Sequence, residues 1–461
     1  MKPNLENDHG PAHASPSFSR HIPAFLSGED SPRHFLERCL EKIALRDDAI
    51  HAFVNLNIDG ARRAADDASV RYRAGRPISA VDGMPFGIKD IIETRDLPTE
   101  MNSPIFAGFQ PRRDAACVLA LKRAGGVLLG KTATAEFACG RSPRTRNPVD
   151  TTLTPGGSSS GSAAAVGAGM VPAALGTQSQ ASTIRPASYC GVFGFKPTHG
   201  LLCVDGVAPL APTLDHLGVF TLDLADAWAI TTTIAAAAPG RIGLDLATNT
   251  QLPAPSAPGT LVRLDTKGWQ ETDEASKTAF ENMLHALQSA GVAIADRRSD
   301  PEIGKLEDLL LEADKASISI YAYEAQWPLR AYAATGEFLV GERILELISI
   351  ADNTSRTQYE EALNIRDKLR AAILKLRART QGFITLASSG PAKADIAYTG
   401  SRSFAVPGTL SGIPAISLPL LQSAGLPLGL QLLGFPGEDD RAIALARWLH
   451  ASTTELKRDT P

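Results

Sequence analysis

DAACVLALKRAGGVLLG, residues 114–130, holds a helix, a turn and a strand in one short stretch. Ala115, Val118, Leu119 and Ala120 recur at helical spacing, and Gly125-Gly126 stops the helix. Val127-Leu128-Leu129 then reads as a buried strand, closed by Gly130. Helix and strand alternating over so few residues point to an α/β fold. The same alternation extends outward. Towards the N-terminus, helical periods span residues 32–46 and 59–74, followed by the apolar run 84–88. Towards the C-terminus, a helix over 272–289 leads to a strand at 292–295, and further core strands are expected at 383–387, 415–419 and 429–433. Between them, residues 303–379 read as one long helical region. Its aromatic residues, Tyr321, Tyr323, Trp327, Tyr332, Phe338 and Tyr359, are expected mostly in helix packing, with a pocket lining as the other reading.

Composition narrows the classes of function. The chain has 461 residues, 44% of them hydrophobic and 21% charged, which is ordinary for a folded globular protein. A formal net charge of −4 gives no basic footprint for a phosphate backbone, so no nucleic-acid partner is expected. The least polar stretch, residues 163–176, is shorter than the roughly 20 residues a bilayer span needs, so no membrane partner is expected either. Residues 1–30 form a polar, partly ordered leader without the apolar segment of a secretory signal. Five scattered cysteines, never spaced as CxxC, suggest buried thiols in a cytoplasmic protein, with neither a disulfide framework nor a zinc site. Glycine and proline punctuate the whole chain, and the Pro-rich piece at 247–259 reads as a surface excursion. Residues 31–461 are therefore expected to form one domain, with a helical insert at about 300–380.

The residues with chemistry to offer begin at Gly156-Gly157-Ser158-Ser159-Ser160-Gly161-Ser162 and continue through Gln178-Ser179-Gln180-Ala181-Ser182-Thr183-Ile184-Arg185. The loop lacks the Gly-Lys-Ser/Thr ending of a P-loop, which disfavours a nucleotide cradle. None of the nine histidines stands in a Gly-x-Ser-x-Gly elbow, so a Ser-His-Asp triad is not indicated. His9, His13 and His21 lie in the leader, and His199 and His216 read as core or solvated side chains. A lysine can replace the histidine where burial lowers its pKa, and Lys89, in the apolar run beside Asp90, is the candidate base. Cys190 reads as core, because no histidine accompanies it in a catalytic motif.

These residues resemble the amidase signature family of serine hydrolases. The resemblance runs from about residue 81 to residue 447. It is carried by Gly87-Ile88-Lys89-Asp90, Gly130-Lys131-Thr132, Glu136-Phe137-Ala138, the Gly156 to Ser162 loop, and Ser182 with Arg185-Pro186-Ala187. Cys190 to Thr198, Leu214-Asp215-His216-Leu217-Gly218, Gly412-Ile413-Pro414-Ala415 and Gly429-Leu430-Gln431 extend it. It implies a single α/β/α domain around a large, mostly parallel mixed sheet. It also implies a Ser–cis-Ser–Lys set with Ser182 as nucleophile, Ser158 as the bridging serine and Lys89 as base, and an oxyanion hole from the backbone N–H groups of Ser179, Gln180, Ala181 and Ser182. Neither a metal nor any other cofactor is implied.

One departure stands out: the family's Asp-Thr-Gly-Gly before the nucleophile is Gln178-Ser179-Gln180-Ala181 here. Two added Cβ atoms require a backbone without positive φ and narrow the space beside the reacting carbonyl. Arg185 has two readings, a clamp for a substrate carboxylate or a brace for the loop, and the brace is favoured. Asp90 and Asp215 read as structural caps or ion-pair partners, and Ser159 and Ser160 as loop supports. The implied activity is cleavage of a C–N bond in an amide, carbamate or urea-type small molecule, with the insert setting specificity. The alternatives are the glutamine-hydrolysing subunit of a tRNA-charging amidotransferase and a non-catalytic scaffold. Homodimers are common in the family.

Overall fold

The computed structural model describes residues 17–241 and 250–458, with side chains described to residue 453. Eleven strands form one sheet: β1 (Phe53–Leu56), β2 (Pro85–Lys89), β3 (Val127–Thr132), β4 (Ala173–Gln178), β5 (Phe193–Lys196), β6 (His216–Thr221), β7 (Thr260–Arg263), β8 (Ala293–Ala295), β9 (Phe383–Leu386), β10 (Ala415–Ser423) and β11 (Leu426–Leu433). Their order is β1-β3-β2-β4-β6-β5-β10-β11-β9-β7-β8. The α/β class and the large mixed sheet are as expected from the sequence, but the weighting differs. β2 pairs in parallel with β3 and β4, and β7 with β8 and β9, while the other six pairings are antiparallel. The reason is local: β10 and β11 are joined by the tight turn at Ala424-Gly425, and a turn that short reverses the chain.

β2, β3 and β4 are buried along their whole length: each begins as the apolar run that a segment covered on both faces needs, and each ends in buried polar residues, Lys89, Lys131-Thr132 and Thr177-Gln178. The helix Ser160–Gly167 packs on all three, and its residues are small enough to lie close to them. Helices Leu224–Ala237 and Asp439–Arg458 pack on β6 and on β10 and β11. β2 and β4 run side by side in the same direction, so their C-terminal ends open onto one place, where open α/β sheets hold ligands.

The expected long helical region breaks into three helices, Pro301–Thr335, Glu342–Asp352 and Arg356–Leu376. Gly336 and Gly341 interrupt it, and Ser355 with Gln358 forms a capping box that starts the last helix. Its aromatic residues divide. Tyr323 stacks on Tyr359 at 4.3 Å and Tyr332 on Phe137 at 4.2 Å, Tyr321 is buried, and Trp327 and Phe338 are exposed.

Of the leader, residues 1–16 lie outside the described residues. From residue 17 onward the chain is anchored: Phe18 is buried against Phe25 and Phe35, and the N–H groups of Phe18 and Ser19 donate to the Asp226 carboxylate at 2.9 Å. Of the Pro-rich piece, residues 247–249 lie outside the described residues. The remainder is tied down at Gln251, whose carbonyl accepts from Trp228 Nε1 at 2.9 Å.

Candidate active site

Lys89 is the last residue of β2, and Thr177 is the penultimate residue of the parallel neighbour β4. Ser158 sits just before the helix Ser160–Gly167, and Ser182 follows β4 in the turn before the helix Ile184–Cys190. The fold brings these four hydroxyl and amine groups together. Lys89 Nζ donates to Ser158 Oγ at 2.7 Å and to Thr177 Oγ1 at 2.8 Å, and Ser158 Oγ donates to Ser182 Oγ at 3.1 Å. The Gly157–Ser158 peptide bond is cis. Gly156, at φ +76°, shapes the loop: a Cβ there would come within 3.0 Å of Pro186 Cα and the Tyr189 ring.

Burial sets the electrostatics. Lys89 is completely buried, and desolvation brings its pKa down to about 7, against the opposing pull of Asp215. A neutral amine has two N–H groups and one lone pair. With one N–H on Thr177, the lone pair can accept from Ser158, which reverses the direction of that hydrogen bond without moving a heavy atom. Burial also pushes the Asp215 carboxyl up to about 6, although Ser179 Oγ and the N–H groups of Leu210 and Ala211 donate to it. Thr177 was not apparent from the sequence. Its position within a strand beside the candidate lysine strand is the one available signal, and it becomes visible only once β2 and β4 are known to pair in parallel.

The loop before Ser182 has a distinct hydrogen-bond pattern. Gln178 Oε1 accepts from the N–H groups of Thr183 at 2.8 Å and Ile184 at 3.0 Å. The N–H groups of Ser179, Gln180, Ala181 and Ser182 are engaged by no backbone carbonyl among the described residues. Neither Gln180 nor Ala181 has positive φ, which is the backbone that their Cβ atoms require.

Arg185 is buried with its guanidinium on the surrounding loops. Nη2 donates to the Gly157 carbonyl at 2.5 Å and to Thr399 Oγ1 at 3.1 Å, and Nη1 to the carbonyls of Gly400 and Ser401 at 2.7 and 3.2 Å. It braces the backbone just before Ser158. Ser159 and Ser160 bond the loop to Thr177 and Gly156. Asp90 pairs with buried Lys131 at 3.1 Å. His199 and His216 pack against each other at 4.9 Å, and burial lowers both, His199 to about 4. Cys190 is buried, its thiol pushed up by desolvation and bonded to the Pro155 carbonyl at 3.5 Å.

Ser158 and Ser182 open onto a cavity of about 1230 Å³, walled on the far side by the helices Pro301–Thr335 and Glu342–Asp352 through Asp314, Tyr321 and Arg343. Five arginines (Arg141, Arg146, Arg185, Arg343, Arg402) line it against three acids (Glu271, Asp314, Glu342). Among the described residues no helix is long and apolar enough to cross a membrane.

The family described as Amidase matches residues 34–443. The chain is 31% identical to the glutamyl-tRNA(Gln) amidotransferase subunit of Chloroflexus aggregans, covering 90% of this chain and 92% of the relative. To the protein of the same name in Prochlorococcus marinus it is 32% identical, over 91% and 93% of the two chains. Among solved structures it resembles the peptide amidase of Stenotrophomonas maltophilia, with a TM-score of 0.77 and 25% identity over 96% and 97% of the chains. A protein from a vestigial complex bearing on the origins of an s-triazine catabolic enzyme is as similar, with a TM-score of 0.81 and 26% identity over 95% and 98%.

These relatives overturn the expectation of a small-molecule substrate without nucleic acid. Their name is that of one subunit of an enzyme whose substrate is a charged tRNA. The expectation drew on net charge, which reports only whether this chain's own surface attracts a polyanion. From the family match over most of its length and this shared architecture, the chain belongs to the amidase family and is a hydrolase of C–N bonds other than peptide bonds.

Proposed function

We propose that this chain opens a carboxamide through an acyl-enzyme on Ser182, with Lys89 and Ser158 relaying the proton. The observation that carries the reading is the continuous path from Lys89 Nζ through Ser158 Oγ to Ser182 Oγ, with steps of 2.7 and 3.1 Å. Neutral Lys89 takes the Ser158 proton, and Ser158 takes that of Ser182 as the Ser182 oxygen bonds to the amide carbon. The charge that develops on the amide oxygen falls to the unengaged N–H groups of residues 179–182, each worth about 10² to 10³ in rate where such donors have been removed. The relay then runs backwards: Lys89 returns the proton through Ser158 to the leaving nitrogen, the C–N bond breaks and ammonia departs. Water attacks the ester by the same path.

For the amide itself, the names of the relatives support glutamine, with the released ammonia passed on within an amidotransferase that acts on glutamyl-tRNA(Gln). A cavity lined by both arginines and acids suits the zwitterionic head of an amino-acid amide. The described cysteines are all free thiols, which supports a cytoplasmic site of action. The test is ammonia release from glutamine by the chain alone and with co-purified partner proteins, beside Ser182→Ala and Lys89→Ala. Release that both variants lose is the expected result. Release that survives Ser182→Ala would end the reading.

A further inference from the structure

Gln180 stands two residues before Ser182, and its side chain is occupied. Its Oε1 accepts from Ser317 Oγ at 2.8 Å and from Arg402 Nη1 at 2.9 Å, while its Nε2 donates to the Ser317 carbonyl at 3.4 Å. Arg402 is held from a second side, where Nη2 donates to the Asp314 carbonyl at 3.1 Å. Thus the nucleophile loop, the long insert helix Pro301–Thr335 and the segment before β10 meet at one guanidinium on the cavity wall.

That guanidinium differs from the other arginines of the cavity: three of them are spent on partners, and Arg146 has no bond to the loop that carries Ser182 among the described residues. Arg141 is held bidentately by the Glu136 carboxylate at 3.0 and 3.1 Å. Arg185 is spent on backbone carbonyls, and Arg343 pairs with Glu346 at 2.7 Å. Among the described residues, Arg402 has one carboxylate within ion-pairing distance, Asp314 at 3.7 Å, and its bonds to Gln180 and the Asp314 carbonyl leave three of the five guanidinium N–H groups. Its side chain is 27% exposed, towards a cavity in which arginines outnumber acids. A fixed, incompletely paired guanidinium in such a setting is a ready partner for a carboxylate, which takes two parallel N–H groups of the fork.

We propose that Arg402, fixed by Gln180 and Asp314, is a carboxylate subsite, so that the amide opened at Ser182 carries a carboxylate a few bonds from the scissile carbonyl. This rests on Ser182 as the reacting residue and deepens that reading by naming the residue that takes the substrate's carboxylate. Gln180 acts as a positioning residue. In place of a glycine it brings the side chain that ties Arg402 to the nucleophile loop, so the departure before Ser182 changes which substrates fit while leaving the loop's N–H groups free.

The test is equilibrium binding by titration calorimetry to full-length Ser182→Ala protein, with glutaramate and valeramide as probes. The two amides have equal carbon chains and differ in the terminal carboxylate. Glutaramate is expected to bind more tightly, and Arg402→Gln to weaken it about 30-fold. The glutaramate-to-valeramide preference should collapse by a similar factor, and Arg402→Lys should restore part of it. Gln180→Gly, which keeps the backbone N–H and frees the guanidinium, should reduce the preference in the same direction, and it carries the test if Arg402→Gln does not fold. A preference unchanged in a folded variant, an equal weakening of both probes, or glutaramate bound no better than valeramide would overturn the proposal. Because binding is read without turnover, failure of the acyl-enzyme reading would show separately, as a preference that persists in a protein with no Ser182-dependent cleavage.

Discussion

In the proposed relay Lys89 can act as a base only with its amine neutral, and burial at the end of β2 brings it close to that state near physiological pH. With a pKa of about 7, the neutral fraction falls to roughly one tenth at pH 6. kcat/KM should therefore rise with pH through a midpoint near 7, as a pH–rate profile on any cleaved amide will show. The carboxylate of Asp215 opposes the desolvation of Lys89, so Asp215→Asn should move that midpoint to lower pH, and a shift to higher pH would contradict the coupling. Ser182→Ala should lose about 10⁴-fold or more in kcat with the fold intact, since removing the proposed nucleophile would disable the whole relay. Retention of rate beyond the level of the neighbouring donors would point to another attacking group.

At the scale of elements, the site depends on how closely the helix Ser160–Gly167 approaches the sheet and on the pairing of β2 with β3. Gly161 opens that helix against backbone: a Cβ there would lie 2.3 Å from both the Ala133 nitrogen and the Ala52 oxygen. Neither atom is the end of a flexible chain, so Gly161→Ala should cost about 3 kcal/mol of stability by overpacking and displace Ser158 with it. Denaturant unfolding together with the rate measures both effects. Asp90, just past the end of β2, and Lys131, the penultimate residue of β3, form a buried pair at 3.1 Å, almost without exposure. Asp90→Ala leaves the Lys131 ammonium buried without its counter-ion and should lower stability by about 3 to 5 kcal/mol, read as a lower denaturant midpoint at unchanged slope.

Across the whole molecule, what the sequence reveals follows the range of the forces involved. Residues 114–130 show the α/β alternation because helix periodicity and a glycine stop are local signals. Lys89, Ser158 and Ser182 stand out in the sequence as chemistry-bearing types in small-residue or apolar surroundings, and the fold brings them within hydrogen-bonding distance. Pairing direction is less accessible, since it is set by long-range packing, and six antiparallel neighbours emerge where a mostly parallel sheet was expected. Thr177 and Arg402 escape sequence reading for the same reason. One gains its meaning from a parallel neighbour, the other from a glutamine 222 residues away. Net charge could not anticipate relatives named for a glutamyl-tRNA(Gln) amidotransferase, because composition describes only this chain's own surface. The central claim is the relay from Lys89 through Ser158 to Ser182, and it is tested most directly without any substrate. The rate of phosphonylation by a fluorophosphonate reagent, followed by peptide mass spectrometry across pH, should place the adduct on Ser182, rise through a midpoint near 7, and collapse in Lys89→Ala and Ser158→Ala. An adduct on another residue, or a Ser182 rate indifferent to pH and to Lys89, would contradict the account.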